Sequence, residues 1–160
     1  MATGGLTTIL VLIPNVLFLL LPYKPKGSDS ALSPGGVLRR ATKTYQVMEW
    51  VERIGQITTF VIPFFYRLRI DESNRLIALL MLAMLLLYYG AWLRYFLNHM
   101  HPRMLYAPLA GIPLPMAFAP VIYFALASLL FESWPLLISD LVLAAGHLYI
   151  SAQESPRYPV

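Results

Sequence analysis

Cysteine is missing from this chain altogether, which removes disulfide staples, thiolate metal centres and thiol nucleophiles in one step. Charge is scarce too: Asp, Glu, Lys and Arg make up 12% of 160 residues, against about a quarter in an ordinary soluble domain. No Gly-rich phosphate loop, nucleophile elbow or HExxH spacing occurs. Gly4-Gly5 and Gly35-Gly36 are too short and lack the strand-turn-helix setting that a phosphate cradle needs. No Lys or Arg precedes the first apolar run and no small-x-small cleavage pattern precedes Lys24, so that run is expected to be retained rather than removed as a leader.

Apolar residues dominate what is there, at 58% of the chain and a mean hydropathy of +0.63. Residues 76–93 and 113–131 carry no charge at all, and such runs point to lipid as solvent. The 12 basic and 8 acidic residues give a formal +4. A nucleic-acid binder would gather that excess on a polar domain, and none exists, so nucleic acid is excluded and membrane lipids become the expected partner.

The resulting expectation is an all-α, polytopic transmembrane helical bundle forming one domain over 1–160. About five spans are placed at 5–22, 48–66, 76–97, 113–131 and 136–150, with a four-span count as the alternative. An amphipathic interfacial helix at about 34–47 precedes the second span, and a polar tail occupies 153–160. Pro14 and Asn15 interrupt the first run, and Pro108, Pro113, Pro115 and Pro120 make the first half of 105–131 irregular, with a helix starting near Pro115. Lys24, Lys26, Arg39, Arg40, Lys43, Arg94, Arg103 and Arg157 fall on one side of this topology, against Arg67, Arg69 and Arg75 on the other. The positive-inside rule then puts the amino terminus outside and the carboxyl terminus in the cytoplasm, in a plasma (inner) membrane.

Ionisable residues within apolar segments carry the functional expectation, because each is costly there. Glu52, Arg53, Gln56, Arg94 and His147 fall at similar depth and form the expected polar cluster, with Glu49, Asn98, His99 and Asp140 as secondary candidates. A structural ion pair among them, such as Glu52 with Arg94 or Arg53 with Glu49, is the plainer reading of the same residues. Asp140 and His147 are seven apart and share a helix face near Ser139, Ala144 and Ser151, a spacing of about 10 Å that suits a relay only through an intermediary. His99-Met100-His101-Pro102 has no trusted ligand spacing. Bis-histidine haem or a metal through His99 and His147 is considered, and neither is expected.

No catalytic residue is assigned, and the sequence leans away from an enzyme. The expected function is a small multi-pass membrane protein of binding or transport type, with a polar pocket in the cytoplasmic half of its bundle. The alternatives are an accessory subunit of a larger membrane complex, with a partner subunit or homo-oligomer, and a membrane enzyme acting on lipid.

Overall fold

A computed structural model describes residues 3–21 and 42–157, and the long elements within them are all helices. The first helix, α1 (Gly5–Leu20), runs through Pro14 without breaking. Proline cannot return a hydrogen bond to the carbonyl four residues back, here that of Leu10, and the Tyr89 hydroxyl donates to that carbonyl at 2.8 Å instead. The next residue, Asn15, donates to the Val11 carbonyl at 2.9 Å and to the Tyr88 hydroxyl at 2.8 Å. Two polar contacts thus fix an apolar helix against its neighbour.

Helix α2 (Lys43–Val61) opens on Thr42, whose hydroxyl accepts from the Tyr45 amide at 3.3 Å. It passes into a short 3-10 turn (Ile62–Phe65) at Pro63. After a connection tied by the Asp71 carboxylate, which accepts from Ser73 and Asn74, α3 (Arg75–Leu97) begins. It ends on His99 and Met100, both in the left-handed region. The proline-rich segment holds one helical turn, α4 (Arg103–Tyr106), and a tight hairpin in which Leu109 and Ile112 exchange hydrogen bonds across Ala110 and Gly111. Both central residues have positive φ, as a type I′ turn requires, and Gly111 accepts this without strain. Helix α5 (Pro115–Leu130) follows with its proline at the first helical position, then α6 (Trp134–Glu154), capped by the Ser133 hydroxyl.

Helices α2 and α6 run antiparallel and approach most closely at two glycines. A Cβ on Gly146 would stand 2.5 Å from the Glu52 amide nitrogen, and one on Gly55 would meet the Leu143 backbone. Helix α5 bridges α3 and α6. Between them lies a core of Tyr88, Trp92, Tyr95, Phe124 and Leu136, in which Trp92 packs edge-on against Tyr88 and Tyr95. Outside the core, long apolar side chains such as Phe65 and Trp134 remain exposed by 78% and 75%.

The helix dimensions correct the five-span reading. Among the described residues, two helices, α3 and α6, are both long and apolar enough to cross a membrane. Helices α1 and α5 have 16 residues each, about 24 Å at 1.5 Å per residue, short of a hydrocarbon core of about 30 Å. Helix α2 carries Lys43, Glu49, Glu52 and Arg53 along its length. Over the described residues the architecture is therefore a six-helix all-α bundle rather than a five-span polytopic membrane fold. With the spans go the multi-pass binding or transport role, its membrane-subunit and lipid-enzyme alternatives, membrane lipids as partners, and the plasma-membrane location with an outside amino terminus. All of these rested on counting five crossings. The expected interfacial helix at 34–47 lies largely outside the described residues; from Lys43 onward its sequence is the first turn of α2, separated from what precedes by the Thr42 cap.

Candidate functional site

Where α2 and α6 cross, helical periodicity puts Glu52 and Gln56 one turn apart, and His147 follows Gly146 directly. The close approach that Gly146 permits brings the Glu52 carboxylate to His147: Oε1 lies 2.5 Å from Nδ1. Both side chains are largely buried, at 19% and 27% exposure. A carboxylate this close accepts the Nδ1 proton, so that in the neutral form of the ring Nε2 is the acceptor, the arrangement by which carboxylates orient imidazoles in binding and catalytic sites.

His147 lines a cavity of about 180 Å³ bounded by the five long helices of the described residues. Its polar lining comes from Asn15 on α1, Gln56 on α2, Tyr88 on α3 and His147 and Ser151 on α6, and Phe60 and Trp92 supply aromatic wall. Asn15 has both amide hydrogens engaged, one on the Val11 carbonyl and one on Tyr88, so the Tyr88 oxygen acts as acceptor in that pair. Its own hydrogen has no acceptor among the described residues. Burial pushes this phenol up to about 12, against the lowering pull of the neighbouring Trp92 and Asn15 N–H groups, so it stays a donor. The Trp92 Nε1 itself is buried with no acceptor in hydrogen-bonding geometry. A second depression of about 240 Å³, beside the turn between α5 and α6, has Glu132 as its one titratable lining residue and no comparable set of polar groups.

The structure draws together three members of the expected cluster, Glu52, His147 and Gln56, and leaves two elsewhere. Arg53 is exposed, pairs with Glu49 one turn back at 3.1 Å and lies over the Trp50 ring at 5.7 Å. Arg94 points into the proline-rich segment. Its guanidinium donates to the carbonyls of Ala107 at 2.5 Å, Pro108 at 2.7 Å and Met104 at 3.4 Å, closing the end of α4. Asn98 caps α3 by donating to the Arg94 carbonyl at 2.8 Å, and His99 is exposed beyond it. His101 Nδ1 accepts from the Arg103 amide at 3.3 Å. Among the described residues no three His, Cys, Asp or Glu side chains converge on a point that could hold a metal ion.

Asp140 sits two turns from His147 on α6, 1% exposed, with Oδ1 unpartnered. Burial raises its carboxyl to about 7. Thr59, fully buried on α2, likewise has an unpartnered hydroxyl. At the other end of the same helix pair, the Tyr45 hydroxyl donates to the buried Glu154 carboxylate at 2.9 Å. Tyr45, Thr59, Glu154 and Tyr88 are not among the site residues expected from sequence, and Asn15 counts there only as an interruption of the first run. The detectable signal is a shared spacing: 45, 52 and 59 on one helix and 140, 147 and 154 on the other are each seven apart.

Set against known protein families, curated proteins and solved structures, the chain matches none of them.

Proposed function

We propose that this protein binds one small, uncharged, ring-bearing molecule inside its bundle, with the Glu52–His147 pair as the polar anchor and Gln56 beside it. The observation that carries the reading is the 2.5 Å contact between Glu52 and His147 at the wall of a cavity that five helices line. Size supports it: an interior cavity of about 150 Å³ is enough for one benzene-sized ring, and this one is about 180 Å³. Chemistry supports it as well, since apolar walls with a few placed polar groups are the usual make-up of a small-molecule site. The charges nearest the cavity are already engaged, Glu52 with His147 and Arg94 with backbone carbonyls, which disfavours a ligand with full charge.

Phenol tests this directly. Titrated into the full chain with isotope-labelled histidine, it is expected to give a saturable shift of the His147 ring nitrogens while His99 and His101 stay still. Shifts that rise linearly without saturating, or that affect all three histidines alike, contradict the reading.

A further inference from the structure

The cavity wall is asymmetric in a way that names its ligand more closely. On the α3 side, Tyr88 offers a hydrogen-bond donor, because Asn15 already occupies its oxygen and the buried phenol keeps its proton. The Asn15 orientation is fixed by its second bond to the Val11 carbonyl, so the amide cannot turn over and accept from Tyr88 instead. On the α6 side, His147 offers an acceptor, because Glu52 holds the proton on Nδ1 and Nε2 has no partner among the described residues. The unmatched hydrogen of the buried Tyr88 hydroxyl costs free energy until something accepts it, and the half-buried His147 Nε2 on the same cavity wall is open to a donor. Water can do so, yet a ring that does both also fills the aromatic volume between Phe60 and Trp92.

We infer that the ligand class is a cyclic amide or vinylogous amide, a single ring whose carbonyl accepts from the Tyr88 hydroxyl and whose N–H donates to His147 Nε2. This rests on the binding function proposed above and adds the direction of the two hydrogen bonds. A site built on such a pair discriminates against analogues that lack one partner, most strongly where the buried Tyr88 hydroxyl is left unmatched.

The probes are 2-pyridone and 4-pyridone, which place the N–H and carbonyl at two separations, together with their N-methyl derivatives and toluene. Calorimetric titration of the full chain is expected to show at least one pyridone binding ~10-fold or more tighter than its N-methyl derivative and than toluene, a difference of about 1.4 kcal/mol. Tyr88→Phe is expected to erase most of the advantage over toluene. The comparison of each pyridone with its N-methyl derivative on the unaltered chain does not depend on that variant folding. Pyridones, N-methyl derivatives and toluene binding within about twofold of one another would overturn the inference and leave a ring-binding cavity standing. Absence of saturable binding by every ring, phenol included, would overturn the binding function itself and the inference with it.

Discussion

Glu52 Oε1 and His147 Nδ1 stand 2.5 Å apart at the middle of an antiparallel helix pair whose other polar positions repeat at the same interval. Seven residues away in one direction on both helices, Tyr45 donates to Glu154; seven away in the other lie Thr59 and Asp140, buried with an unpartnered oxygen each. Two helical turns span about 10 Å, so the seam between α2 and α6 is a ladder of three polar levels in an otherwise apolar contact. Gly55 and Gly146 stand between the rungs and allow the backbones to approach closely enough for short side chains to meet.

Those glycines give the first prediction. Gly146→Ala sets a methyl group against the Glu52 backbone, which cannot move aside without shifting the helix, and is expected to cost roughly 2 kcal/mol or more. Gly90→Ala is the control: its Cβ would meet only Leu109 Cδ2 at 3.8 Å, in mid-helix, and stability should rise by about 0.5–1 kcal/mol. Thermal denaturation of the two variants beside the parent decides it. Equal effects of the same sign would show that the helices do not pack at Gly146.

Asp140 predicts a pH dependence with a definite sign. Its carboxyl is raised by burial from the ordinary 3.8 to about 7, so the folded chain holds this proton more tightly than the unfolded chain does. Its contribution is therefore most favourable below about pH 4 and is lost as pH climbs through about 7. Asp140→Asn removes the ionisation, and is expected to be more stable than the parent at pH 8 by roughly 1–3 kcal/mol, with the advantage shrinking toward pH 4. Chemical denaturation at pH 4, 6 and 8 measures it; a parent whose stability rises from pH 4 to 8 at this site contradicts a buried, unpaired carboxyl.

Arg94 is expected to act on structure rather than on binding. Arg94→Lys keeps the charge but cannot reach three carbonyls in a planar fork, so the turn at α4 should loosen at a cost of roughly 1.5–3 kcal/mol. Limited proteolysis between Asn98 and Leu114 should accelerate while phenol binding at the cavity is retained. Loss of binding with an intact proteolytic pattern would return Arg94 to the site.

Helical segments are legible in this sequence because apolar periodicity and proline positions report them: Pro115 marks the start of α5, and the charge-free run after Arg75 marks α3. The span count is not legible, because hydropathy weighs Tyr88 and Phe124, which face other helices, the same as Phe65 and Trp134, which do not. A run also reads longer than its helix: the segment at 113–131 loses Pro113 and a left-handed Leu114 before the helix begins at Pro115. Within the site, Glu52 and His147 stand out as ionisable residues in apolar surroundings, and their pairing follows from register once α2 and α6 are known to be antiparallel. Arg94 stands out for the same reason but has a different partner, since its neighbours in space come from backbone carbonyls that composition does not reveal. Tyr88 is invisible as a donor because that role depends on Asn15, 73 residues away, occupying its oxygen.

The measurement that bears most directly on the account is the tautomer of His147, read from the ring ¹⁵N shifts of the full chain in mildly alkaline buffer. A single form with the proton on Nδ1 is expected, converting to a mixture in Glu52→Gln. A proton on Nε2 in the parent, or a spectrum that Glu52→Gln leaves unchanged, would contradict it.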